Sequence, residues 1–229
     1  GQGWLHSDGT TFTSSTSPTV AYLTATSTTA TSTLTDLNFP INSNVFYGGQ
    51  RFITASTTAA GNLSIGYQSP TNIDTNGGLY NTAVGYQAMQ NATSTDYNTA
   101  LGYQALKGSA TISNVGYNTA VGYKALTNNT TGYDNTAVGY QAMQNATSTD
   151  YNTALGYQAL KGSATISNVG YNTAVGYKAL TNNTTGYDNT ANGYAALYSN
   201  TTGYYNSAMG WNALYSNTTG YYNTANGLN

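Results

Sequence analysis

From Asn62 onward, apolar residues fall at two positions of one recurring phrase, Asn-Thr-Ala-x-Gly-Tyr-x-Ala-Leu/Met. The first position carries Val84, Leu101, Val121, Val138, Leu155, Val175 and Met209. The second carries Met89, Leu106, Leu126, Met143, Leu160, Leu180, Leu197 and Leu214. Nowhere do apolar side chains recur at a helical interval, and the abundant Thr and Tyr favour strands. In a straight strand, residues an odd number apart point to opposite faces. Val84 and Met89 are separated by an odd number, so if both enter one core the chain bends between them. A glycine is always found there and tolerates such a bend. This predicts corners at Gly85, Gly102, Gly122, Gly139, Gly156, Gly176, Gly193 and Gly210. Asn192 and Asn226 stand at the first apolar position in two late copies, which predicts a partly polar core towards the C-terminus.

The interval between these glycines is 17 residues in most copies and 20 in two, with a degenerate first copy at Asn62 to Ser69. Seventeen residues cannot hold a helical hairpin and its turns, whereas two short strands and two corners fit at a rise of ~3.3 Å per residue. The second corner is assigned to the Asn-Thr-Thr-Gly run, as at Asn200 to Gly203. Three extra residues between Leu106 and Tyr117, and between Leu160 and Tyr171, predict outward bulges that begin at the solvated Lys107 and Lys161. Residues Asn81 to Asp134 recur without change as Asn135 to Asp188, so the chain was lengthened by copying without repair elsewhere. Such self-similarity predicts an all-β fold, a β-solenoid (parallel β-roll or β-helix) of about ten 17- to 20-residue coils over residues 61–229.

Stacked coils bring equivalent side chains about 4.8 Å apart. Asn81, Asn98, Asn118, Asn135, Asn152, Asn172, Asn189, Asn206 and Asn223 then form an amide ladder. Tyr86, Tyr103, Tyr123, Tyr140, Tyr157, Tyr177, Tyr194 and Trp211 form an aromatic one, available for stacking or for glycan contact.

Residues 1–60 differ in composition. Thr10 to Thr35 is dominated by Ser and Thr, which predicts an extended stalk or assembly segment. Asn44 to Tyr47 and Arg51 to Ala55 are strand candidates separated by Gly48 and Gly49. Trp4 and His6 sit in a Gly-rich end, expected to be a flexible or partner-covered terminus rather than a site. With no initiator Met and no charged-then-apolar leader, the sequence is expected to be a processed chain or a fragment. It stops partway through a repeat, and an open terminal coil would promote addition of another chain.

Charge adds mainly exclusions. Five Lys plus Arg stand against seven acidic residues, all Asp, for a formal charge of −2. That removes the basic footprint of a nucleic-acid binder. No apolar run reaches the ~20 residues of a membrane span. Zero Cys excludes disulfides and thiolate metal sites. The lone His6 and the scattered Asp8, Asp36, Asp74, Asp96, Asp134, Asp150 and Asp188 offer no base beside a nucleophile, so no catalytic residue, cofactor or metal is expected. Asp74 to Gly78 has a calcium-loop flavour but lacks the later Glu ligand, and a plain turn explains it. Sequons at Asn91, Asn129, Asn145, Asn183, Asn200 and Asn217 are explained by turn chemistry. A Thr ladder from Thr82 to Thr224 could order water, although stacking alone accounts for it.

The phrase Asn-Thr-Ala-Val-Gly-Tyr-Gln-Ala-Met resembles the head repeats of trimeric autotransporter adhesins, whose Asn-Ser-x-Ala-Ile-Gly units build a left-handed parallel β-roll. With its Asn-Thr-Thr-Gly continuation it also looks like repeats of phage tail-fibre and endosialidase-type proteins. The resemblance covers roughly Asn62 to Asn229, and the 17-residue coil is longer than the usual adhesin head unit. It implies a surface-displayed fibre, often trimeric and adhesive. The expectation is thus a non-enzymatic structural fibre of the cell surface or extracellular space, self-assembling end to end or as a trimer. The alternative is a glycan-binding adhesin or the receptor-binding module of a virion tail fibre.

Overall fold

The structure, a computed structural model, describes residues 44–47, 50–55, 61–69, 78–108, 112–162 and 166–228. The chain divides into two compact units, 1–38 and 39–229, and all described residues belong to the second. The Ser/Thr-rich segment, Trp4, His6, Asp74 to Gly77 and the three-residue additions lie outside the described residues.

The predicted early strands are present as β1 (Asn44–Tyr47) and β2 (Gln50–Ala55), an antiparallel pair. The solenoid follows. Its strands in chain order are β3 (Leu63–Ile65), β4 (Thr82–Val84), β5 (Ala92–Asp96), β6 (Thr99–Leu101), β7 (Ile112–Gly116), β8 (Thr119–Val121), β9 (Thr136–Val138) and β10 (Ala146–Asp150). They continue as β11 (Thr153–Leu155), β12 (Ile166–Gly170), β13 (Thr173–Val175), β14 (Thr190–Asn192), β15 (Ser207–Met209) and β16 (Thr224–Asn226). Ten three-residue strands, β3, β4, β6, β8, β9, β11, β13, β14, β15 and β16, most of them reading Thr-Ala-x, form a single parallel run in one sheet, and β2 pairs antiparallel with β3. The fold is therefore an all-β solenoid without helix among the described residues. On the far side of the coils, β5 pairs with β7 and β10 with β12, again in parallel. The remaining coils close there through turns.

Register is kept across both coil lengths. Thr99 pairs with Thr119 across a 20-residue coil as Thr82 pairs with Thr99 across a 17-residue one. The corner glycines explain why no other residue serves at these points. Gly139 has φ of 132°, and a Cβ there would lie 2.4 Å from the Gly156 carbonyl oxygen of the next coil. Past the glycine, φ alternates in sign, with Gln87 at 55° and Met89 at 52°. This turns the chain while it keeps bonding both neighbours. The Gln87 amide reaches back to the Tyr67 carbonyl at 3.0 Å, and the Met89 amide reaches forward to the Ala105 carbonyl at 2.9 Å.

The core differs from the one expected. Val84, Val121, Val138 and Val175 are only half-buried, while Leu101, Leu155 and Met209 are exposed. The preceding alanines, Ala83 through Ala208, point inward instead. In a three-residue strand the alternation leaves one inward position, and it falls on Ala. A second alanine row, Ala88 to Ala213, and the row of Met89, Leu106, Leu126, Met143, Leu160, Leu180 and Leu197 complete the interior. The requirement that Val84 and Met89 share a core was thus mistaken, although the glycine corner inferred from it stands. Asn192 and Asn226 are exposed, which overturns the expectation of a polar core near the C-terminal coils. In the first coil, serines replace the facing alanines, and Ser64 Oγ donates to Ser69 Oγ at 2.6 Å. That bond spans the narrow interior and shows why only small side chains fit at these two rows.

Candidate functional site

Two polar columns hold the coils in register. In the first, Asn81 Oδ1 accepts from the Asn98 backbone amide at 2.9 Å and from Asn98 Nδ2 at 3.1 Å. The pattern repeats up to Asn223, which is bonded to Asn206 Oδ1. Asn81, Asn98, Asn118, Asn135, Asn152, Asn172, Asn189 and Asn206 are buried and Asn223 is half-buried, so this ladder is interior architecture. The second column was missed. Asn129, Asn183 and Asn200 are fully buried at the Asn-Thr-Thr-Gly corner. Asn129 Oδ1 accepts from the Gly132 amide, and Asn200 Nδ2 donates to Asn183 Oδ1 at 3.1 Å. Their sequons are consequently closed to a modifying enzyme in the folded chain. Repetition of the corner phrase was the available signal.

The aromatic ladder lies outside. Each glycine bend turns the next residue away from the core, and Tyr86, Tyr103, Tyr123, Tyr140, Tyr157, Tyr177 and Tyr194 are each about 40% exposed. Their rings stack at 4.8–5.2 Å, and Trp211 closes the row at 4.0 Å from Tyr194. Lys124 Nζ lies 5.3 Å from the Tyr123 ring and Lys178 Nζ 5.4 Å from Tyr177, close enough for cation–π attraction. The electrostatic interaction with Tyr177 holds the Lys178 ammonium above its ordinary value. The Thr row, with Thr99 and Thr153 exposed, flanks the corner glycines in strict register.

Two further aromatic rows escaped the sequence reading. One is set by the residue before each ladder Asn: Tyr80, Tyr97 and Tyr117 stack, then Tyr151 and Tyr171, then Tyr205 and Tyr222. Asp134 and Asp188 occupy the missing rungs. The other is one residue earlier, where Tyr187, Tyr204 and Tyr221 stack. The two rows hold their rings nearly at right angles, as in the Tyr133–Tyr151 pair at 82° and the Tyr187–Tyr205 pair at 79°. The Tyr-Asn dipeptide in most copies carried this signal.

Where the rows are interrupted, a notch of about 390 Å³ opens, lined by Tyr133, Asp150, Tyr151, Gly170, Tyr171, Tyr187 and Asp188. Asp150 Oδ1 accepts from the Tyr133 amide at 3.0 Å. The hydrogen bond with Tyr151, followed by the charge of Asp150, raises the Tyr133 phenol, and the charge of Asp188 raises that of Tyr205. Among the described residues no group of three His, Cys, Asp or Glu side chains is placed to hold a metal ion. No helix there is long and apolar enough to cross a membrane. No protein-family model, curated protein or solved structure matches the chain.

Proposed function

We propose that the chain is a non-enzymatic structural rod of the cell surface or extracellular space, assembling into an adhesive fibre of the kind implied by its resemblance to autotransporter adhesin heads. The observation that carries this reading is the unbroken register of the sheet through coils of both lengths. Each coil bonds only its two neighbours, so coils can be added without disturbing the others. A copied 54-residue cassette adds three coils, or about 14 Å of rod. The continuous strip of half-exposed rings is the surface on which copies would associate side by side, since contiguous apolar patches mark interaction sites.

The glycan-binding alternative is less well served along the main ladder. Tyr103 and Tyr157 are stacked on both sides, so their faces are occupied by neighbouring rings rather than open to a sugar. The virion tail-fibre reading shares the rod and differs only in where it is displayed.

The test compares the full chain with a version lacking residues 135–188. Small-angle scattering should show the folded rod shortened by about 14 Å with an unchanged cross-section. Light scattering should show a mass above the monomer that falls when Tyr103 and Tyr157 become Ser. A strictly monomeric mass at every concentration would sink the assembly reading, and a changed cross-section would sink the modular rod.

A further inference from the structure

We infer that the notch at Tyr171, Tyr187 and Asp188 is a binding site for a small organic cation of the quaternary-ammonium type. It goes beyond the rod reading and does not depend on it.

Both rows are broken into short stacks, and the notch is where the end of one stack meets the start of another, each with a ring face left unstacked. Tyr171 stacks on Tyr151 at 5.0 Å, and on its other side the rung of its row is Asp188. Tyr187 stacks on Tyr204 at 5.0 Å, and on its other side the rung is Gly170, whose carbonyl accepts from the Asp188 amide. Tyr171 and Tyr187 both line the notch, and because rings of the two rows stand nearly perpendicular in the neighbouring pairs Tyr133–Tyr151 and Tyr187–Tyr205, they wall an aromatic corner. Tyr171 is 61% exposed, against 44% for Tyr151 beneath it, as expected for a ring with one bare face.

Charge decides the occupant. The lining holds two carboxylates, Asp150 and Asp188, and neither Lys nor Arg. A cation within ~6 Å of a Tyr face is attracted by the ring quadrupole, and an aromatic corner closed by a carboxylate is the arrangement that recognises alkylated ammonium groups. A neutral sugar would gain the ring faces but not the charge. Gly170 lines the corner without a side chain, and a Cβ there would come within 3.2 Å of the Asp150 carbonyl oxygen. The cassette copy supplies a related corner from Asp96, Tyr97, Gly116, Tyr117, Tyr133 and Asp134, with Leu79 where the other notch has Tyr133.

The test is calorimetric titration of the intact chain with choline, with its neutral isostere in which carbon replaces nitrogen, and with N-acetylglucosamine. Choline should bind saturably and at least about tenfold more tightly than the isostere or the sugar. Asp134→Asn combined with Asp188→Asn should weaken choline by about tenfold, and Asp134→Tyr combined with Asp188→Tyr should abolish binding by restoring the missing rungs over Tyr117 and Tyr171. That variant keeps its fold, because Tyr171 already holds φ of 58° at the equivalent position and Asp134 and Asp188 hold 55° and 52°. Equal binding of the isostere, preference for the sugar, absence of saturable choline binding, or choline binding that survives the combined Asp134→Tyr and Asp188→Tyr changes would each overturn the assignment.

Discussion

Asn118 grips Asn135 twice: its Oδ1 accepts the Asn135 backbone amide at 3.0 Å and the Asn135 Nδ2 at 3.1 Å. Asn135 passes the same pair of bonds on to Asn152, and its Nδ2 also donates to the Tyr133 and Thr149 carbonyls. Truncation by Asn135→Ala therefore orphans buried groups in three coils, each costing ~1–3 kcal/mol. The expected loss is about 3 kcal/mol or more, read as a fall in the urea midpoint. Asn135→Asp should do no better, because it replaces donors with an acceptor facing three acceptors. A loss below about 1 kcal/mol would mean that the column is incidental.

The revised core makes a paired prediction. Leu155 is 47% exposed and Leu160 fully buried, although both occupy usually apolar positions of the repeat. Leu155→Ser should change stability by no more than about 0.5 kcal/mol, whereas Leu160→Ala should cost about 2–5 kcal/mol. Thermal melts of the two variants distinguish this arrangement from one in which both face inward.

Thr149 and its copy Thr95 are buried, and neither hydroxyl oxygen has a hydrogen-bond partner. Replacing each with the similarly shaped Val removes an unsatisfied polar atom and suits the strand. Thr149→Val should stabilise by about 1 kcal/mol, and the double variant by about twice that, since the sites are three coils apart. A fall in the melting midpoint would show that the hydroxyl is satisfied in solution.

The Tyr205 phenol lies above its ordinary value of 10.0, chiefly because the charge of Asp188 disfavours the phenolate. A raised folded-state value means that the neutral phenol is favoured by folding. Its contribution is present below the ordinary value and is lost as pH climbs through the raised one. In a spectrophotometric titration Tyr205 should ionise late, and Asp188→Asn should bring it earlier without moving Tyr133. An unchanged Tyr205 in that variant would discard the electrostatic coupling.

Much of the coil was legible because its constraints are local. Gly139 could be placed at a corner from sequence, since only glycine accepts φ of 132° with a neighbouring carbonyl so close. The ladders at Asn118 and Tyr123 followed from repetition alone. The interior did not, because hydrophobicity ranked Val138 above Ala137, and geometry decided for the smaller residue. In so thin a coil the side chain that fits outranks the one that is most apolar. The notch was illegible for another reason. It arises from rungs that are absent, Gly170 and Asp188, and a search for conserved phrases passes over the positions where a phrase fails.

Every amide in the buried Asn column points the same way: each Oδ1 from Asn62 to Asn206 accepts from the next coil towards the C-terminus. Dipoles aligned head to tail add, and in a dry interior they polarise one another. The column is thus a molecular electret, with its positive pole towards β3 and its negative pole towards β16. Two such rods laid side by side attract when antiparallel and repel when parallel, and the term acts from within, without a single charged residue in the column.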